Sequence, residues 1–503
     1  MTAASIAINR FGLGNRPDQQ IPTASRAWLT AQFARYDPKP EAILNAPTSA
    51  GVSAELAAYF RERRTLRQQS QTAAAAQMAT TAGFTTATTR MAGAGLAKPD
   101  APKAAAEQTP EMRQAAQFAR RAGRQDYGGA VGARAQAALV TDTPLVERLV
   151  HFWSNHFAVS ADKLELTGLA GTLEFEAIRP HVLGRFGDML GAVERHPAML
   201  LYLDQAVSIG PDSEIGLRNA ARGKGKAGLN ENLAREILEL HTLGVRSGYG
   251  QPDVTEFARA MTGWTVAGIG QAPGARQAGT DGLPGDFLFV PQMHQPGART
   301  IIGKTYPAGG VEQAQAVLAD VALHPATATH IATKLARHFA GDIPPPAMVK
   351  RLQAAYLKSG GDLPTVYRAI IDSPEAWAEA PAKFRTPWEW SIATMRALGQ
   401  KTVDAQAMTG LMNQLGQPVW KPGQPVGYDD LAASWAGPDA VMRRVEAAER
   451  FAQRAPATID ARALAPKLFP GAVSDATTQA LARAESPGQA LALLLVSPEF
   501  LRR

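Results

Sequence analysis

All nine histidines of this chain lie between His151 and His338, and two of them occupy unusual places. Across residues 230–245 Leu233, Ala234, Ile237, Leu238 and Leu240 recur at helical spacing, and Glu231, Arg235 and Glu239 form an i, i+4, i+8 line. At about 100° per residue His241 then points into the middle of the apolar arc. Residues 143–157 repeat the situation: Leu145, Leu149, Phe152, Trp153 and His156 share one arc, with Glu147, Arg148, His151, Ser154 and Asn155 opposite. An imidazole so placed is either a satisfied core group or part of a site, as proton acceptor or metal ligand. The catalytic candidates are therefore His156, Glu231 and His241. Asn155, Asn230, Arg235, Glu239 and Trp264 are candidate binding residues beside them.

Spacing restricts the chemistry. Neither His156 nor His241 has a second ligand-bearing residue three or four positions before it, the arrangement a helix-borne metal motif uses. Glu239 and His241 point about 160° apart on a regular helix, and Glu231 lies about 15 Å from His241 along the axis. A metal would need ligands from separate segments, such as His156, His241, His294 and Asp204, and no particular cofactor follows from the sequence. No Gly-x-Ser-x-Gly elbow is present, which argues against a serine hydrolase of that kind. With no cysteine, disulfides, iron–sulfur clusters and thiol nucleophiles are excluded. Glu231, Arg235 and Glu239 read most simply as a solvated stripe; burial by a second layer would turn them into a polar network.

The elements that must hold these groups are helices. Thr143-Pro144 is a helix start, Asn230 a fitting N-cap with Gly244 as stop, and Asp253-Val-Thr-Glu256 a capping box. Periodicity predicts further helices over 23–36, 53–69, 167–178, 184–195, 311–323, 325–340, 345–358, 363–372 and 383–398. In the 325–340 helix Ile331, Leu335 and Phe339 face in while Lys334 and Arg337 face out. Residues 266–307 are rich in Gly and Pro and predict one small β-hairpin from 286–290 and 299–302, the only sheet. Residues 68–107, Ala- and Thr-rich with few large apolar side chains, predict a low-complexity mobile arm. Three prolines make the stretch from Leu415 to Tyr428 an ordered loop anchored by Trp420 and Tyr428. The fold expectation is mainly α: a single large multi-helix domain over 1–503 with that hairpin insert. At 503 residues, 45% hydrophobic, a large core is within reach.

The formal charge of +7 is modest for this length, and the basic residues are not gathered into an obvious arm, so no nucleic-acid partner is expected. No window approaches the apolar length of a membrane span. The N-terminus lacks a basic and apolar leader, which points to a cytoplasmic protein, with periplasmic placement open through co-export with a partner.

Glu147-Arg-Leu-Val-His-Phe-Trp-Ser-Asn-His-Phe-Ala-Val-Ser160, Asn230 to Val245 with Thr262-Gly-Trp264, His324-Pro325, Lys334-Leu-Ala-Arg-His-Phe339, Ser373-Pro-Glu375, Gly416-Gln-Pro418 and Ser497-Pro-Glu-Phe500 together resemble the bacterial domain-of-unknown-function family 1800. The chain departs from that pattern at Leu233, where an aromatic is expected, and in its basic loop at Lys224 and Lys226. The resemblance implies one large, mostly helical domain without established activity. It also implies a neighbouring-gene partner of family 1501, similar to phosphatases and sulfatases. Two functions follow as expectations: an accessory protein to such a partner, or a hydrolase-like enzyme with a central His/Glu pocket acting on glycans or their esters.

Overall fold

Helix starts in this protein are set by prolines and small polar caps, and the computed structural model shows them over residues 1–85, 109–222, 228–269, 282–381, 383–456 and 458–503, which it describes. The fold is mainly α. Helix α1 (Ser49–Thr85) buries Val52, Leu56 and Phe60 in its first turns; from Arg61 to Ala76 it is almost wholly exposed. The expected mobile arm thus begins as continuous helix through residue 85, and its remainder, 86–107, lies outside the described residues. Helix α2 (Pro110–Val140) returns alongside α1, with Thr109 as cap and Pro110 in the first turn.

Helix α3 (Pro144–His156) opens at Thr143-Pro144 as the sequence predicts, and the Gln32 side-chain oxygen accepts from the Leu145 amide at 2.8 Å. Both faces of α3 are buried: Leu149 and Trp153 on the apolar arc, Glu147 and Arg148 on the polar one. Helix α4 (Phe186–Glu194) crosses nearby. The single helix expected over 230–245 is instead short α5 (Asn232–Glu236) followed by a π turn, Ile237–His241. The N-cap is Glu231, without a side-chain bond, and Asn230, expected there, lies one residue earlier and accepts from the Asn232 amide at 2.8 Å. Helix α6 (Gln251–Met261) starts two residues before the expected capping box. Asp253 acts from inside the first turn, accepting from the Gly250 amide at 2.8 Å.

The sheet expectation needs correcting. β1 (Trp264–Val266) pairs with β2 (Phe287–Phe289), and β3 (Arg299–Ile301) pairs with β4 (Lys304–Tyr306), so the two predicted strands belong to separate antiparallel ribbons. Trp264-Thr-Val266, buried throughout, lacks the polar alternation that marks a half-exposed strand. Helix α7 (Pro325–Ala340) is capped by His324, whose Nδ1 accepts from the Ala326 amide at 3.1 Å. Helix α8 (Pro387–Ala397) opens with a capping box, Thr386 and Glu389 satisfying each other's amides at 3.3 and 2.9 Å. One hydrophobic cluster runs from Ile6 to Phe500. No helix among the described residues is long and apolar enough to cross a membrane.

Candidate functional site

His156 and His241 are brought together, their ring centroids 6.2 Å apart, and both are buried. A π turn leaves carbonyls at its C-terminal end without helical partners. Imidazoles take them: His156 Nε2 donates to the His241 carbonyl and His330 Nε2 to that of Leu240, each at 3.1 Å. His241 Nδ1 donates to Glu194 Oε1 at 2.8 Å, both side chains fully enclosed. Burial, reinforced by Lys334 and the neighbouring imidazoles, pushes His156 well below the usual histidine range, so it is neutral. His156 Nδ1, His241 Nε2 and Glu194 Oε2 have no hydrogen-bond partner among the described residues. Glu194 was not singled out from sequence; an acid ending the apolar run Met189-Leu-Gly-Ala-Val193 was the available signal.

The other candidates scatter. Glu231 is partly exposed and accepts from Thr255 and Gln251, each at 2.7 Å, and from Arg235 at 3.4 Å. That surface knot is the solvated stripe of the simpler reading, and Glu231 does not join His156 and His241. Glu239 pairs with Tyr249 rather than with His241. Asn230 donates to the Leu203 and Asp204 carbonyls at 3.3 and 3.2 Å. Trp264 is buried edge-on to Phe287. The four potential metal ligands separate as well: His294 Nδ1 donates to the Thr262 carbonyl, while Asp204 pairs with Lys163. No group of three or more acids and histidines is placed to hold a metal among the described residues.

The polar arc of α3 leads to a cavity of about 400 Å³, bordered by His151, Ser154 and Asn155, with Phe152 and His156 of the apolar arc also reaching its wall, by α7, by the start of α8 and by the loop from Gln417 to Asp430. Asn155 fixes that loop through two bonds of 2.7 Å, one to the Tyr428 amide and one to its carbonyl. Gly427 has φ +82°, and a Cβ there would meet the Asn155 carbonyl oxygen at 2.3 Å, so only glycine fits. Trp420 takes φ +49°, a strained value for a bulky residue, and is tied down by Ser154 and Glu174 at 3.2 and 3.3 Å.

Paired charges form the walls. Arg134 meets Glu174 at 2.8 Å and lies over the Trp388 ring, 4.2 Å from its centroid. Burial alone would raise Glu147, yet the bidentate Arg179, both bonds 2.8 Å, and His151 hold it well below the usual carboxylate range. Glu389 pairs with Arg148 and, at 2.9 Å, with Arg503. Asp430 joins His338 and Lys383, each at 3.1 Å. Two cations stand apart. Lys334 and Arg337 border the cavity with no hydrogen bond or ion pair among the described residues, and Arg337 Nε is buried without a partner. Burial brings Lys334 down to about 8, Asp430 pulling it up and Arg337 down. The outward orientation read from the helical pattern is correct for α7; what it faces is this pocket.

A helical body with a charge-lined, aromatic-walled pocket is the class the geometry defines. The chain belongs to the family described as Protein of unknown function (DUF1800), which matches residues 6–502. No curated protein and no solved structure matches the chain.

Proposed function

We propose that the protein binds an anionic, ring-bearing solute, such as a sulfated, phosphorylated or uronic sugar, in the pocket between α3, α7, α8 and the 417–430 loop. The observation that carries this reading is the pair Lys334 and Arg337, without hydrogen-bond or ion-pair partners among the described residues, in a cavity where Arg134, Arg148, Glu389 and Asp430 are paired and Asp429 accepts from Ser434. A guanidinium held without an acid is a fork waiting for two oxygens. Trp388 and Tyr428 supply flat walls of the kind that sugar rings pack against. An anionic sugar ester is also what a phosphatase- or sulfatase-like neighbour would act on, which fits an accessory role beside a family 1501 protein.

The hydrolase reading draws on the His151–Glu147 and His338–Asp430 pairs, but geometry favours binding. His151 accepts from the Trp388 indole at 3.2 Å on one nitrogen and faces Glu147 at 3.5 Å on the other. His338 is engaged by Asp430 at 3.1 Å and Arg503 at 3.4 Å. His338 keeps no nitrogen free for proton transfer to a substrate, and His151 Nε2 is buried and turned towards Glu147. The test is calorimetry with glucose 6-sulfate, glucuronate and glucose against the full chain and a Lys334→Gln/Arg337→Gln variant. Saturable binding of the anionic sugars, lost in the variant, is expected. Equal binding of glucose, or binding unchanged in the variant, overturns the reading.

A further inference from the structure

The paired stretches of α1 and α2 at the margin of the core carry Arg61, Arg63, Arg64 and Arg67 on one helix and Arg113, Arg120, Arg121 and Arg124 on the other, all exposed. None forms a salt bridge or side-chain hydrogen bond among the described residues. Folding therefore gathers into one helical hairpin a basic density that is dispersed along the sequence, correcting the expectation that the bases form no arm. At about 100° per residue, Arg113, Arg120, Arg121 and Arg124 fall within an arc of about 100°. That arc lies opposite Ala115 and Ala119, which are buried. Glu111 and Asp126, the acids of α2, project outside the arc. From Arg113 to Arg124 the stripe runs about 16 Å, at 1.5 Å per residue. The intervening sequence 86–108 holds Asp100 and Glu107 against Arg90, Lys98 and Lys103, so it has no surplus of acid to neutralise the stripe. Beside the stripe, Phe118 is 74% exposed.

We infer that this face of α2 docks on a phospholipid surface bearing anionic headgroups. Guanidinium groups match phosphate oxygens bidentately, and a straight row on a convex rod presents them to a plane. Phe118 at its flank supplies the apolar group that enters the boundary between headgroups and acyl chains. A single-stranded nucleic acid would instead call for several stacking rings in a groove, and among the exposed residues of α2 Phe118 is the one aromatic ring. This docking surface is separate from the pocket and does not depend on the ligand proposed for it.

Co-sedimentation of the full chain with vesicles tests the assignment, using phosphatidylcholine alone and a three-to-one mixture with phosphatidylglycerol. The protein should pellet with the mixed vesicles only, and half-molar sodium chloride should release it. An arginine near an anionic surface strengthens binding on the order of fivefold, so changing Arg113, Arg120, Arg121 and Arg124 to Gln together should weaken it several hundredfold. Phe118→Ala should weaken it less, and both variants should keep the wild-type unfolding midpoint because the side chains are exposed. Equal binding to neutral vesicles, no binding to either kind, or wild-type binding by the four-arginine variant overturns the proposal. So does displacement from vesicles by an equal phosphate concentration of duplex DNA or homopolymer RNA, which would assign the stripe to nucleic acid. If the four-arginine variant does not fold, the salt release and Phe118→Ala still decide the matter.

Discussion

Two faces of one helix have opposite fates in this protein. On the apolar side of α3, His156 meets His241, and Glu194 closes the cluster, all three fully enclosed. On the polar side, His151, Ser154 and Asn155 border a cavity that also receives Lys334 and Arg337. The first region has its imidazoles bonded to backbone carbonyls and a carboxylate, and only His156 of the three reaches the cavity wall; the second has the opening and cations without hydrogen-bond or ion-pair partners among the described residues. Histidine in an apolar arc here serves the end of a π turn, and the binding potential lies where the charges exceed their matches.

The comparison breaks most visibly at Glu194. Glu194→Ala leaves the His241 Nδ1 donor buried and alone, and should cost about 3 kcal/mol or more in urea unfolding, whereas Lys334→Gln should cost almost nothing. Comparable losses from both would erase the distinction between a sealed and an open region. His156→Ala, which frees the His241 carbonyl, should cost about 1–3 kcal/mol in the same measurement.

Gly427→Ala acts on the open side. Its methyl group would strike the Asn155 carbonyl from a left-handed backbone, so the loop must move, at about 1–3 kcal/mol. Sugar binding should weaken at least tenfold by calorimetry while the buried cluster stays intact; undiminished affinity would mean that the loop does not shape the pocket. A titration adds a further check. Lys334 falls from 10.5 to about 8 on folding, so between those values the unfolded chain holds a proton that the native one has released. Stability should therefore rise with pH across that window, and the Lys334 part of the slope should vanish in Lys334→Gln. Anion affinity should move the opposite way, falling as pH passes about 8 and the ammonium discharges.

Helix positions were legible where prolines and periodic apolar residues act locally: Thr143-Pro144 and Pro325 each start a helix in the structure, whereas the helix expected over 383–398 starts only at Pro387, behind its Thr386 cap. The closeness of His156 and His241 was legible too, since two polar groups within apolar arcs must share a core. What could not be read is which distant group completes each set. Glu194 lies 47 residues before His241, and Asn155 meets Tyr428 across 273 residues; no periodicity encodes such pairings. The π turn was hidden for a related reason, because Ile237-Leu-Glu-Leu-His241 satisfies an α-helical pattern equally well and tertiary contacts choose between them. The Glu231 stripe was visible as a pattern, and only packing could show that no second layer covers it.

That turn makes chain length adjustable at one point. A turn closed by i→i+5 bonds holds one residue more than an α turn, so losing a single residue within Ile237–His241 would let the segment close to α geometry with the flanking chain nearly in phase. His241 would keep its approach to Glu194, and what would change is the set of free carbonyls that His156 and His330 now hold. Loss of one residue is therefore absorbed at this point, whereas within α3 it would turn every following residue by about 100°.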